Sequence, residues 1–386
     1  MEATAQAAEK FDPEGGGGFN PRIVPTESTR ALAPEGRFSP ISPEFLSPSA
    51  GSAAVTPPLP CPLRIVLPGG SGQVSQMLAR YFQQRGHPVT VLTRGPYTAE
   101  WQTVHWDGET IGPWTEYLEG ADVCINLAGR SVNCRPTAAN RQAVYESRIG
   151  STRLLGEAIA GLANPPKLWM NASATALYKR VVDAHGVDLP LDETSGTAAG
   201  EEVGAEAWSS SRGFMARVVR DWEAAFFASE TPRTRKIALR SGVVLSPTPG
   251  SAFAVLSNLV RLSLGGKQGN GRQFVPWIHE ADYARAVEFL IAREDLDGAF
   301  NFVAPNPMRN REFMEALREA HDMPNGIPAP ALAVWLGAWL IGTNPELVLA
   351  SCRAVPGRLL DARFEFEFPQ WPEAAEDLAR QWKNRE

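Results

Sequence analysis

Apolar and polar positions along this chain alternate between two rhythms. Short apolar runs mark one of them: Ile65-Val66-Leu67, Val89-Thr90-Val91-Leu92-Thr93, Asp122-Val123-Cys124-Ile125-Asn126-Leu127, Lys167-Leu168-Trp169-Met170-Asn171 and Lys236-Ile237-Ala238-Leu239-Arg240. These predict strands, fully buried in the case of Asp122 to Leu127, with Val104-His105-Trp106 as a shorter one. Between them, apolar residues recur at helical spacing. Val74, Leu78, Tyr81 and Phe82 predict a helix that Gly86 ends. Val144, Ile149, Leu154, Leu155 and Ile159 share a face in a helix predicted over Arg141 to Ala160. Further helices are predicted over Trp208 to Phe227 and over Glu280 to Arg293. Such alternation implies a mostly parallel sheet with right-handed crossovers. After Asn306 the pattern turns mainly helical. The run Phe364-Glu365-Phe366-Glu367-Phe368 alternates with period two and predicts a short strand.

Residues 1–60 follow neither rhythm. They are rich in Pro, Gly, Ser and Ala, with the run Gly15 to Gly18 and the cluster Pro57-Pro58-Leu59-Pro60. Such a stretch buries too little surface to offset the entropy lost on ordering it. A disordered extension is expected there, with a partner-binding tail as the alternative. At 386 residues the chain exceeds one compact domain. The expected class is α/β: a Rossmann-type, doubly wound parallel sheet over 61–305, and a small, mostly helical domain over 306–386 covering the substrate cleft.

The richest chemistry lies between the first strand and its helix, in Pro68-Gly69-Gly70-Ser71-Gly72-Gln73-Val74-Ser75. A glycine-rich turn in a βαβ unit presents backbone N–H groups and a helix N-terminus to a pyrophosphate. Gly69 allows the tight turn, and Gly72 lacks the Cβ that would meet the phosphates. Ser71, Gln73 and Val74 complete the expected contact. Ser75 stands where a third glycine would let the helix pack closely. The second strand ends in Thr93-Arg94 rather than in an acid, so a 2′-phosphate finds a cation there and a ribose 2′-hydroxyl finds no carboxylate. NADP(H) is therefore favoured over NAD(H), and a solvated Arg94 is the plainer alternative. Leu127-Ala128-Gly129, at the exit of the fourth strand, lets the backbone approach a ribose or forms a plain turn. Asp107 before Gly108 is either an adenine acceptor or a turn residue.

Composition narrows the classes. Net charge is −6, which argues against a nucleic-acid binder. Arg130, Arg135, Arg141, Arg148 and Arg153 nevertheless cluster after the fourth strand, where they form either a receptor for an anionic small-molecule substrate or a solvated helix face. The four cysteines, Cys61, Cys124, Cys134 and Cys352, lack metal-ligand spacing. Neither a metal site nor a disulfide framework is expected, and a reducing, cytoplasmic setting fits. Ala329 to Ile341 is too short to span a bilayer and contains Pro330, so no membrane partner is expected. A homo-oligomer is compatible with these features.

The glycine-rich turn, Asn126-Leu127-Ala128-Gly129, the Ser173 strand end and Trp277-Ile278-His279-Glu280-Ala281-Asp282 together resemble extended short-chain dehydrogenase/reductases. Trp106-Asp107-Gly108, Asn126 to Arg130, Ser147 to Arg153 and Val355 to Leu360 resemble one atypical, epimerase-family branch more closely, one with a C-terminal domain of unknown function. The resemblance implies hydride transfer between a nicotinamide and a carbinol, with a tyrosine as acid/base, a lysine lowering its pKa and a serine orienting the substrate oxygen. Ser173 matches the serine. The stretch Trp208 to Val218 holds neither tyrosine nor lysine. Phe214 cannot take a proton and Val218 cannot hold a ribose. Tyr178, shortly after Ser173, and Arg217 are the candidates to stand in; their plainer readings are a strand-exit aromatic and a surface charge. The expectation is an NADP(H)-dependent oxidoreductase or epimerase, and the alternative is a regulatory or interaction protein that binds the dinucleotide without turnover.

Overall fold

In a computed structural model of the chain, the predicted strands meet in one sheet. The structure describes residues 59, 62–95, 98–178, 180–194, 211–342 and 344–385, which fall within one unit, Ala54–Glu386. Along it run β1 (Ile65–Pro68), β2 (Val89–Thr93), β3 (Gln102–His105), β4 (Val123–Asn126), β5 (Leu168–Ala174), β6 (Arg235–Ser241), β7 (Val243–Leu245), β8 (Phe274–Val275), β9 (Trp277–His279), β10 (Gly298–Phe302) and β11 (Met308–Arg309). Seven of them form a parallel sheet in the order β3-β2-β1-β4-β5-β6-β10. Strand order reverses at β1, so a crevice opens where β1 and β4 end. The shorter strands pair as β7 with β9, parallel, and β8 with β11, antiparallel.

The helices are α1 (Gln73–Gln84), α2 (Ala138–Gly161), α3 (Ser211–Ala228), α4 (Ala252–Arg261), α5 (Glu280–Ala292), α6 (Asn310–Ala320), α7 (Ala331–Ile341), α8 (Glu346–Leu349), α9 (Gly357–Asp361) and α10 (Trp371–Lys383). Side chains alternate across each strand, which makes two cores from one sheet. Ile65 and Leu67 pack with Leu78 and Phe82 of α1 and Val287 and Leu290 of α5. Val66 and Cys124 pack on the other face with Leu154, Leu155 and Ile159 of α2 and Phe226 of α3. A third cluster joins Trp277 to α4, α6 and α10, where the Trp371 ring stacks on Phe313 at 4.0 Å.

Several expectations change on contact with this architecture. Helix α2 starts three residues before Arg141, because the Thr137 side chain accepts the Asn140 N–H and caps it. Strand β10 escaped notice, being short and interrupted by Asn301. The run Phe364 to Phe368 is no strand. Its Glu367 and Phe368 N–H groups donate to the buried Asp282 carboxylate at 2.7 and 2.8 Å, so the main chain is satisfied without a ladder. Trp277 and Trp208, which as bulky aromatics could line the cleft or belong to the core, part ways: Trp277 is core, and Trp208 lies outside the described residues. Leu59, inside the stretch expected to be disordered, is buried in the first core. Helix α7 carries no charge and exposes Leu332, Trp335, Leu336, Trp339 and Leu340. Among the described residues no helix is long and apolar enough to cross a membrane.

Candidate functional site

The crevice begins at the β1–α1 turn. Gly69 and Gly70 both donate N–H to the Leu92 carbonyl, at 2.9 and 3.1 Å, which folds the chain back over β2. Gly69 has φ +87°, and a Cβ there would lie 2.5 Å from the Ala128 backbone. A Cβ on Gly70 would lie 1.7 Å from Val91 Cγ1. The turn therefore packs directly on the exits of β4 and β2, a fit that only glycine allows. Leu127 N–H donates to the Pro68 carbonyl at 2.9 Å, locking the two exits together. Ser75 is buried, and its hydroxyl donates to the Gly69 carbonyl at 3.2 Å.

The first turn of α1 is left bare. Gly72 is the N-cap and supplies no side chain, and the turn holds no acid. The Gln73 amide nitrogen is buried with no hydrogen-bond partner among the described residues. Ser71 and Gly72 are exposed, and Arg94 is exposed one residue beyond β2. Bare N–H groups, an unsatisfied amide and a nearby guanidinium are what a bound diphosphate requires. The donor set thus fits a dinucleotide. The structure brings Gly69, Leu127 and Ala128 into contact and places Arg94 on the same edge of the sheet.

Beyond β4 the polar groups are saturated. Ala128 N–H donates to the Asn126 side chain at 3.1 Å, and Asn126 donates to Asn171 at 2.7 Å and Thr152 at 3.2 Å. Gly129 lies under Arg148, which donates to the Arg130 and Val144 carbonyls at 2.9 and 3.0 Å. Burial pushes the Arg148 pKa down to about 10. Arg130 binds Asn140, Arg135 reaches the Trp339 carbonyl, and Arg153 lines a hollow of about 700 Å³ between α2 and α3, on the sheet's flank. The expected arginine cluster is therefore spread over the loop before α2, which holds Arg130 and Arg135, and along α2 itself. Asp107 is a turn residue, accepting the Glu109 and Thr110 N–H groups at 2.8 and 2.9 Å.

Ser173 sits in register with Arg240, and Arg240 with Asn301, across β5, β6 and β10. The Ser173 hydroxyl donates to Glu223 of α3 at 2.5 Å. Arg240 clamps both oxygens of the same carboxylate at 2.9 and 2.8 Å, and its third nitrogen donates to the Tyr178 hydroxyl at 3.1 Å. Tyr178 in turn donates to the Asn301 side chain at 2.7 Å. Ser173, Tyr178 and Asn301 are all buried. Burial pushes the Tyr178 pKa up to about 12. Arg217 pairs instead with Asp221 at 3.4 Å on the α2–α3 flank, and Phe214 and Val218 are buried against Val144. Sequence reasoning missed Glu223, Arg240 and Asn301; for Arg240 and Asn301 the available signal was a polar residue closing or interrupting an apolar strand, and for Glu223, on α3, there was none.

A family model for the NAD dependent epimerase/dehydratase family matches residues 65–302. The chain belongs to that family. A second model, a domain of unknown function designated DUF1731, matches residues 327–378. The epimerase family protein SDR39U1 of Mus musculus is 30% identical over 324 residues, covering 82% of this chain and 99% of that protein. The epimerase family protein SSP1921 of Staphylococcus saprophyticus is 30% identical over 317 residues, covering 81% of this chain and 98% of that one. The crystal structure of human SDR39U1 (isoform 2) with NADPH superposes with a TM-score of 0.70 at 29% identity, covering 82% of this chain and 99% of that one. The chain is thus an NAD(P)-binding protein of the epimerase type, with a Rossmann-like sheet and a helical C-terminal region.

Proposed function

We propose that this family member binds NADP(H) in preference to NAD(H) and acts as an oxidoreductase or epimerase on a small substrate bearing an anionic group. The observation that carries the reading is the uncapped start of α1 with its unsatisfied Gln73 amide, packed by Gly69 onto the exit of β4. In this reading Gly69, Ser71, Gly72, Gln73 and Val74 hold the diphosphate, Arg94 meets the 2′-phosphate, and Leu127, Ala128 and Gly129 run along a ribose. The human relative crystallised with NADPH supports the choice of coenzyme. When bound, the nicotinamide supplies hydride exchange. The protein's part is orientation and proton handling. The Ser173 hydroxyl donates its hydrogen to Glu223, so its oxygen keeps acceptor capacity for a hydrogen bond from a substrate hydroxyl. Tyr178 acts on that pair through Arg240, and with its raised pKa it stays protonated near neutrality.

Calorimetry of NADPH and NADH tests the coenzyme. Arg94→Ala is expected to weaken NADPH by about 1.5–3 kcal/mol, the worth of a hydrogen bond to a charged group, and to leave NADH within twofold. Equal losses for both would remove the 2′-phosphate role. The burial of Phe214 and Val218, where the resemblance leads one to look for Tyr and Lys, favours a second reading in which the coenzyme binds without turnover. A panel of alcohols that never exchanges hydride with bound coenzyme would favour that reading.

A further inference from the structure

A second polar constellation gathers around the buried Phe274 ring, 101 residues along the chain from Ser173. Pairing of β8 with β11 puts Arg309 opposite Phe274, and the Arg309 guanidinium lies 5.1 Å from the ring centroid. The segment before α9 runs along the same residue. Phe274 N–H donates to the Ser351 hydroxyl at 3.0 Å, and Cys352 N–H donates to the Phe274 carbonyl at 3.2 Å. The next residue, Arg353, places its guanidinium 5.0 Å from the same centroid. Two cations thus share one ring.

Both cations feel the charge of Asp188, but neither makes an ion pair at contact distance with a carboxylate among the described residues. The carboxylate beside them, Asp188, is already committed: Arg180 donates twice to one oxygen, at 2.9 and 2.6 Å, and Ser351 donates to the other at 2.5 Å. Arg353 reaches only the Asp188 main-chain oxygen, at 2.7 Å. Its Nε is buried and has no acceptor. Burial, and then the charge of Arg309, lower the Arg353 pKa. Three guanidinium groups around one carboxylate leave a local charge of about +2 on a chain whose net charge is −6. A buried N–H without an acceptor, where three cations share one carboxylate, calls for an oxyanion, which a planar guanidinium receives through paired hydrogen bonds.

The place is suited to a substrate. Cys352 Sγ lies 3.7 Å from the carbonyl of Thr175, two residues beyond Ser173, at the carboxyl end of β5. We propose that Arg309 and Arg353, held on Phe274, form an oxyanion subsite that takes the phosphate or carboxylate group of the substrate. This rests on the coenzyme-binding reading and puts substrate recognition here rather than on Arg130, Arg135 and Arg148, whose guanidinium groups are spent on Asn140 and on main-chain carbonyls.

The full chain saturated with NADPH, titrated calorimetrically with inorganic pyrophosphate and separately with malonate, tests it. At least one probe is expected to bind with submillimolar affinity that falls as salt rises. Binding of pyrophosphate alone assigns a phosphoryl group, malonate alone a carboxylate, and both the shared chemistry. Arg309→Gln and Arg353→Gln should each weaken the probe tenfold or more, Arg309→Lys should restore part of the loss, and NADPH affinity should stay within twofold. Arg309 makes no side-chain hydrogen bond to the described residues, so Arg309→Gln should fold even where Arg353→Gln does not. The proposal falls if NADPH binds and neither probe does, if both arginine variants bind the probe like the parent, or if Arg135→Gln abolishes binding instead. Should NADPH itself fail to bind, the coenzyme reading fails, and loss of pyrophosphate binding in Arg309→Gln without coenzyme still decides the subsite.

Discussion

The two halves of the cleft are made of different material. At the β1–α1 turn the main chain defines the shape, and the donors at the helix start carry no side-chain cap. At the ends of β5, β6 and β10, side chains from three strands and α3 satisfy one another in an unbroken chain from Ser173 through Glu223, Arg240 and Tyr178 to Asn301. The bare half is shaped to receive a charged group whole. The saturated half offers only spare acceptor capacity, and at its centre the Glu223–Arg240 pair is held firmly because removing either partner would strand a buried charge.

The largest test of this contrast is Arg240→Met, which leaves Glu223 buried without its cation. It is expected to cost about 3–5 kcal/mol in urea unfolding, while coenzyme affinity of the folded fraction is unchanged. Pairing it with Glu223→Leu should recover much of the loss; a neutral single substitution would show that the network is ornamental. At the other half, Gly69→Ala combines a left-handed φ with backbone overlap at Ala128. A loss of about 2–4 kcal/mol is expected, together with loss of coenzyme binding, which separates it from Arg240→Met.

A control lies outside both halves. His279 is buried and caps α5 by accepting the Ala281 N–H at 3.1 Å. Burial pushes its pKa down to about 4, from 6.5 for a free histidine. The unfolded chain therefore takes up a proton below about 6.5 that the folded chain refuses. Stability present above that pH is lost as pH falls toward about 4, by roughly 2 kcal/mol at pH 5. His279→Asn keeps a capping acceptor and should flatten this slope in thermal melts at pH 7 and pH 5. If the slope persists, other groups carry it. The smallest effect sharpens the contrast most. A Cβ on Gly72 would meet only the Gly69 oxygen, at 3.6 Å, so Gly72→Asp fits. It should stabilise the coenzyme-free protein by about 0.5 kcal/mol as an N-cap, yet weaken NADPH by repelling the diphosphate. Improved stability with undiminished affinity would argue that the diphosphate lies elsewhere.

The two halves also differ in how much of them could be read beforehand. The turn was legible because Gly69, Gly72 and the flanking apolar runs are local in the chain, and the required backbone shape leaves few residue choices. The sheet and its helices were legible for a similar reason, since a period of two or of 3.6 is written in consecutive residues. Strand β10 and the Phe364 to Phe368 segment were misread because a neighbour decides them. Asn301 interrupts an apolar strand to meet Tyr178, and Asp282 satisfies N–H groups that would otherwise seek a partner strand.

By itself, then, the amino-acid order determined the layered α/β architecture, the glycine turn and the family to which they belong. Tertiary structure alone decided which charges meet. Glu223 and Arg240 are 17 residues apart, Tyr178 and Asn301 are 123 apart, and Arg309 and Arg353 come together only on Phe274. Periodicity records which face of an element is buried. It does not record which buried polar group finds another, because that depends on strand order and register, and these are fixed only when the whole sheet closes.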